Sequence, residues 1–398
     1  MQNLMIETVF TQPMGEKRIS KDSKDLFSVT FADGQVTCRI LYDFDPRPLT
    51  LAGNVSVGET VRLILMPHRV ELYAAHRLLD EEWPMGTPEV SAEELTFAGF
   101  AVQEYLPPVQ EQPAVLSNFF DAEGWKPEEN VFVGDCMPYR RGEEYHVLYL
   151  KDRHHHLSKW GMGAHQWEHI STLDFKTWSI HPTAVAIDDP DEGSICTGSH
   201  IAHGGKEYLF YTVRKSGGRP APICRSISED GYHFVKDKSF GFTLSDRYLS
   251  GAARDPKVIR DDDGVYHMFL TTALRQEGKG CLAHFVSRDF DIWEDTGAPI
   301  YVSRDATQPE CPDYIRYGGR YYLIFSLQGK AHYRYSEHPF RGWQTPKDDS
   351  IPCSSVPKGA LWEDAIVFAG YSAPPRCYAG TMTFRKAVSD QRGELIFL

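Results

Sequence analysis

The sequence predicts an all-β protein: a five-bladed β-propeller preceded by a small β-sandwich-like domain. Three observations predict it. A strand pattern recurs as Glu144-Tyr-His-Val-Leu-Tyr149, Glu207-Tyr-Leu-Phe-Tyr211, Val265-Tyr-His-Met-Phe269 and Arg320-Tyr-Tyr-Leu-Ile-Phe325, its Tyr positions (145, 208, 266, 321) stepping by 63, 58 and 55. Each copy is followed by an echo: Ser171-Thr-Leu-Asp-Phe-Lys-Thr-Trp178, Ser228-Glu-Asp-Gly-Tyr-His-Phe234, Ser287-Arg-Asp-Phe-Asp-Ile-Trp293 and Ser336-Glu-His-Pro-Phe-Arg-Gly-Trp343. A repeat of roughly 55–60 residues with several strands per unit is the signature of a propeller blade. Ahead of it, Val61, Leu63 and Leu65, then Val70, Leu72 and Ala74, alternate with polar residues as a half-buried sheet does.

In chain order, Phe27–Phe44 and Glu59–Leu79 supply the alternating strands of the first domain, with Pro67-His68 between two of them. The Pro-rich stretch Leu106–Pro113 divides the chain, giving domains 1–112 and 113–398. Each recurring Tyr strand follows a turn rich in Gly, Asp or Arg and reads as the second half of a hairpin. Trp362–Lys386 makes a fifth, diverged unit.

Of 398 residues, 41% are apolar, ample for a core, and the net charge is −13 without a basic run, which argues against nucleic acid and anionic membrane as partners. Met1–Arg18 has no apolar stretch of signal-peptide length and no segment reads as a membrane span, so a cytoplasmic protein is expected. The eight cysteines show no Cys-x-x-Cys spacing and are expected as free thiols. His154-His155-His156 reads as a solvated loop, and Asp261-Asp262-Asp263-Gly264 as a hairpin turn lacking the further ligands of a calcium loop. Neither a metal nor a cofactor is expected. No Gly-rich phosphate loop or Gly-x-Ser-x-Gly elbow appears.

Three acids stand out. Asp135, Asp255 and Glu310 each lie beside strand-like sequence near a Gly or Pro, in Val131–Asp135, Ala253–Pro256 and Gln308–Asp313. The innermost strand of a propeller blade lines the axis, so acids from different blades converge there. Such a trio suits glycoside chemistry: one carboxylate attacks or directs water, a second protonates the leaving oxygen, a third holds sugar hydroxyls.

From Asn118 to Ser326 the chain resembles glycoside hydrolase family 32, the invertases, levanases and inulinases. Arg254-Asp255-Pro256 is similar to its Arg-Asp-Pro, Glu310-Cys311-Pro312 to its Glu-Cys-Pro, Trp167-Glu168-His169 to its Trp-Gly-His, and Thr197-Gly198-Ser199 to the end of its Phe-Ser-Gly-Ser. The resemblance implies a five-bladed propeller cleaving β-fructosides with retention. It implies Asp135 as nucleophile, Glu310 as acid/base, and Asp255 as stabiliser of the transition state, held by Arg254. It also brings Arg254, Trp167, His169, Ser199 and Cys311 forward as substrate-binding residues. Glu310 would then need restricted solvation to keep its proton, which Cys311 and the flanking prolines are expected to supply.

The departures are specific. The family's Asn-Asp-Pro-Asn-Gly reads Gly134-Asp135-Cys136-Met137-Pro138 here, and Cys196 replaces an aromatic of the pocket wall. The family's sandwich usually follows the propeller, whereas here the extra domain comes first. The expectation is a retaining β-fructosidase acting on a small fructose-containing oligosaccharide, with room for a homo-oligomer through the amino-terminal domain. Its rivals are an inverting propeller glycosidase of the arabinanase/xylosidase class, a fructosyltransferase or difructose-anhydride enzyme, and a non-catalytic sugar-binding propeller.

Overall fold

The computed structural model describes residues 3–43, 45–66, 69–84, 86–106, 114–115, 124–127, 131–152, 165–189, 192–215, 222–242 and 244–398. Pro67-His68, His154–His156 and most of the Pro-rich stretch lie outside them. The protein is all-β: among the described residues only one α-helix occurs, Ala92–Phe97, opened by a Ser91/Glu94 capping box. No helix there is long and apolar enough to cross a membrane.

The chain forms two compact units. The first holds the strands from Leu4 to Glu104, in one sheet of five strands and one of four that share a core of residues such as Phe27, Val36, Leu51, Leu63 and Leu72. The alternating residues Val61, Leu63, Leu65, Val70, Leu72 and Ala74 are all buried. The opposite face of that sheet is not simply solvated. Arg69 is buried there in ion pairs with Glu71 and Glu81.

The second unit holds five antiparallel sheets in succession. Their leading edge strands are Phe132–Arg141, Glu192–His203, Arg254–Arg260, Glu310–Tyr317 and Lys358–Trp362. The recurring Tyr residues open the second strand of the first four sheets, at Glu144–Asp152, Lys206–Lys215, Tyr266–Ala273 and Arg320–Leu327. The echo that follows is a side-chain-capped turn after the third strand. In the first three sheets an aspartate, Asp174, Asp230 or Asp289, accepts two backbone N–H bonds at 2.8–3.0 Å. The hydroxyl two residues earlier, on Thr172, Ser228 or Ser287, takes a third. The turn places Phe175, Gly231, Phe290 and, in the fourth sheet, Phe340 at positive φ.

Leading strands of different sheets are tied together. Ser199 Oγ donates to Pro256 O (2.8 Å) and Lys257 Nζ meets Asp313 Oδ1 (2.6 Å). Lys358 Nζ donates to both Gly198 O (2.9 Å) and Pro312 O (3.0 Å). Gly198 tolerates no side chain: a Cβ there would lie 1.8 Å from Phe210 O. First and last sheets are joined by backbone bonds between Val133 and Gly380 (2.8 and 2.9 Å) and by Tyr145 Oη donating to Val367 O (2.8 Å).

Candidate active site

A cavity of about 280 Å³ is lined by Asp135, Asp255 and Glu310 together with Arg254, Cys311, Cys196, Thr197, His165, Arg214, Tyr371 and Tyr378, among others. Three sheets deliver the acids, and each does so at an irregularity. The strand register shifts between Val133 and Cys136, between Arg254 and Lys257, and between Glu310 and Asp313. One acid sits within or at the edge of every shift. A bulge bends the strand and re-aims a side chain that regular alternation would send elsewhere. Asp255 (φ 57°) and Cys311 (φ 51°) adopt the left-handed region at two of them. That conformation is uncommon for side chains of this kind and clusters at functional positions.

Asp135 is buried and fully engaged on its flanks. Thr197 Oγ1 donates to Oδ2 at 2.5 Å and Tyr378 Oη to Oδ1 at 3.0 Å. Burial pushes its carboxyl above the usual range, and the nearby Asp255 adds to this; the Thr197 and Tyr378 hydroxyls and His165 pull the other way. Asp255, also buried, accepts from Cys311 N (3.0 Å) and Thr271 Oγ1 (3.3 Å). The Cys311 thiol lies between the two aspartates, 3.5 Å from Asp135 Oδ2 and 3.7 Å from Asp255 Oδ2. The two carboxylates are therefore no farther apart than those two distances together.

Glu310 and Arg254 differ from expectation. The Glu310 side chain is 45% exposed, so its neighbouring prolines and Cys311 do not shut it off from solvent. Arg254 does not clamp Asp255 in a bidentate or close side-on contact; the pair is 3.6 Å apart through Nε. Its close bonds go to Glu310 Oε1 (2.8 Å) and Gln308 Oε1 (2.6 Å). Arg254 thus lies between two of the acids as a shared counter-charge.

Three expected substrate-binding residues are not among the cavity-lining ones. Trp167 is fully buried, with Nε1 donating to Cys196 O (3.0 Å). Ser199 is a structural tie, donating to Pro256 O and accepting from Val258 N (2.9 Å). His169 is fully buried among other histidines and Tyr139. In a regular strand alternate residues face opposite ways, so a motif of three or four residues cannot send all its members into one pocket. Thr197, part of the Thr197-Gly198-Ser199 match but not singled out, is the member that reaches Asp135. Tyr378, His165 and Arg214 carried no spacing signal.

Residues 133–354 match the glycosyl hydrolases family 32 N-terminal domain, and the chain belongs to that family. Among curated relatives, the sucrose-6-phosphate hydrolase of Escherichia coli is 30% identical over 199 residues, 47% of this chain. The match covers only 39% of that relative's length. Among solved structures, fructan 1-exohydrolase IIa from Cichorium intybus, in complex with 1-kestose, is similar with a TM-score of 0.58 at 18% identity, over 69% of this chain and 59% of that one. A family 43 beta-xylosidase/alpha-arabinofuranosidase from a compost microbial metagenome is similar with a TM-score of 0.53 at 14% identity, over 72% of this chain and 98% of that one.

Proposed function

We propose that the chain is a retaining β-fructofuranosidase that cleaves small fructosides by double displacement. The observation that carries this reading is the delivery of Asp135, Asp255 and Glu310, each from a strand irregularity on a different sheet, to one cavity. The five sheets are taken as five propeller blades and the first unit as a sandwich-like domain, a reading supported by the family match and the shared fold.

In the proposed mechanism the Asp135 carboxylate attacks the anomeric carbon of fructose while Glu310 gives its proton to the departing oxygen. Glu310 then takes a proton from water as that water displaces Asp135. Asp135 must be ionised to attack, and the Thr197 and Tyr378 hydroxyls oppose the burial that disfavours its charge. Asp255 holds sugar hydroxyls as positive charge builds on the ring. Arg254 would shift from Glu310 toward the sugar or Asp255 as Glu310 takes up its proton. Substrates in keeping with a cytoplasmic location are sucrose, its 6-phosphate, inulobiose and short fructo-oligosaccharides.

The deciding experiment is a product screen on sucrose, sucrose 6-phosphate, inulobiose, levanbiose and arabino-oligosaccharides, with carbon NMR of the first sugar released. β-Fructose is expected, with the Asp135 and Glu310 carboxyls roughly 5–5.5 Å apart in a complex. Activity confined to arabino-oligosaccharides, with inversion, would move the protein to the other propeller class.

A further inference from the structure

A second cluster of functional side chains lies away from the cavity, in the first sheet of the second unit. His146 stands on the strand Glu144–Asp152 and His169 on its neighbour Gln166–Thr172. His146 pairs across with Ser171 and His169 with Leu148, so the two histidines share one face of the sheet. His181 follows the next strand, Thr177–Ile180, and its backbone N–H donates to His169 O (2.9 Å). One ring nitrogen from each of the three lies within 4.8 Å of the others.

We propose that His146, His169 and His181 form a binding site for a transition-type divalent cation such as zinc, stapling these strands together. His146 and His169 are fully buried and face each other through His146 Nδ1 and His169 Nε2 (2.9 Å), so these are the nitrogens that a shared ion would take. The far nitrogen of His146, Nε2, lies 3.2 Å from the Glu144 carboxylate, which Tyr232 Oη holds (3.0 Å). A carboxylate on the far ring nitrogen is the outer-shell partner that metal-bound imidazoles usually have.

Imidazole nitrogens suit zinc and its neighbours; calcium and magnesium take oxygen ligands. In a tetrahedral zinc site with bonds of ~2.0–2.1 Å the nitrogens stand about 3.3 Å apart, so the rings would have to turn inward to close the present arrangement. The nearby Arg141 is itself paired with Glu207 (3.2 Å). The triad does not line the candidate catalytic cavity, so its role is structural and independent of the hydrolase reading.

The test is calorimetric titration of zinc into the metal-stripped full chain near neutral pH, with thermal unfolding and the absorption spectrum of the cobalt-substituted protein. One ion per chain, a raised Tm, and cobalt bands of a nitrogen/oxygen site without a thiolate charge-transfer band are expected. His181→Ala, at the least buried ligand, should weaken binding by about 100-fold or more while leaving sugar hydrolysis unchanged. Replacing His154, His155 and His156 together by alanine should leave binding intact. No binding at micromolar zinc, binding kept by His181→Ala, or binding lost with the His154–His156 replacement would each overturn the proposal. Should His181→Ala not fold, the cobalt spectrum of the unaltered protein decides, and a thiolate band there refutes the site.

Discussion

Asp135 is held against its own electrostatic interest. Burial and the neighbouring Asp255 raise its folded pKa, so between the unfolded value and the folded one the native state binds the extra proton. Stability from this group is therefore full at low pH and is lost as pH rises through the folded pKa. Asp135→Asn, which keeps one acceptor and gains one donor for the Thr197 and Tyr378 hydroxyls, should raise Tm at neutral pH. The gain should shrink as pH falls below the carboxylate range, while turnover drops by several orders of magnitude. Thermal scans at several pH values beside a rate assay check both, and an unchanged rate would remove Asp135 from the mechanism. Glu310→Gln should lose about 10²–10⁴-fold on sucrose, the usual worth of general acid catalysis. It should recover on a fructoside whose leaving group needs no proton.

Asp255 and Glu310 were legible because their tripeptides are compact and keep family order, and Asp135, whose neighbours depart from the family, because it lies beside strand-like sequence next to Gly134. Their partners were not. Arg254 reads in sequence as the companion of Asp255, but adjacent residues on a strand diverge, and Arg254 reaches Glu310 across the boundary between sheets. Tyr378 lies 243 residues from the acid it holds, and no local pattern announces a contact of that span.

At the scale of the element, the capped turn after each third strand makes a second test. Asp174, Asp230 and Asp289 have lowered pKa values chiefly because backbone N–H groups bond to their charged form. Here the sign is the reverse of Asp135: stability is present above the unfolded pKa and is lost as pH falls through the folded one. Asp289→Ala should lower Tm near neutral pH, and the difference from the unaltered protein should close in acid. A constant difference across that range would mean the turn is held by Ser287 and packing alone. Local motifs of this kind, with the Tyr strands before them, made the repeat readable. The bulges escaped because a register shift belongs to a pair of strands, and only one of the pair is visible at any point in the chain. Trp167, Ser199 and His169 were named as members of matching motifs, and a motif does not tell which of its residues faces the cavity.

At the scale of the whole molecule, Lys358 binds carbonyls of two other sheets from a fully buried position, and burial lowers its pKa. Asp313 keeps a separate partner in Lys257, so replacing Lys358 does not strand a carboxylate. What it strands is two carbonyl groups. Lys358→Met, close in volume, should cost about 1–3 kcal/mol in urea unfolding, the usual penalty for a buried polar group left unpaired. A more stable variant would show that desolvating the ammonium outweighs its two bonds. Four of the five sheets in the second unit were foreseeable from the spacing of the Tyr residues, and the fifth from the diverged unit Trp362–Lys386. The ties between sheets were not, since each is a single long-range bond with no sequence period.

The join between the first and last sheets has a consequence for how the protein is made. All three acids have been synthesised once residue 310 leaves the ribosome, but Tyr378, the residue that holds Asp135, and Gly380, which pairs with Val133, are still to come. A nascent chain stalled in between has its chemical groups in full and its geometry incomplete. Activity should therefore switch on only once Tyr378 and Gly380 have been made, rather than accumulate sheet by sheet.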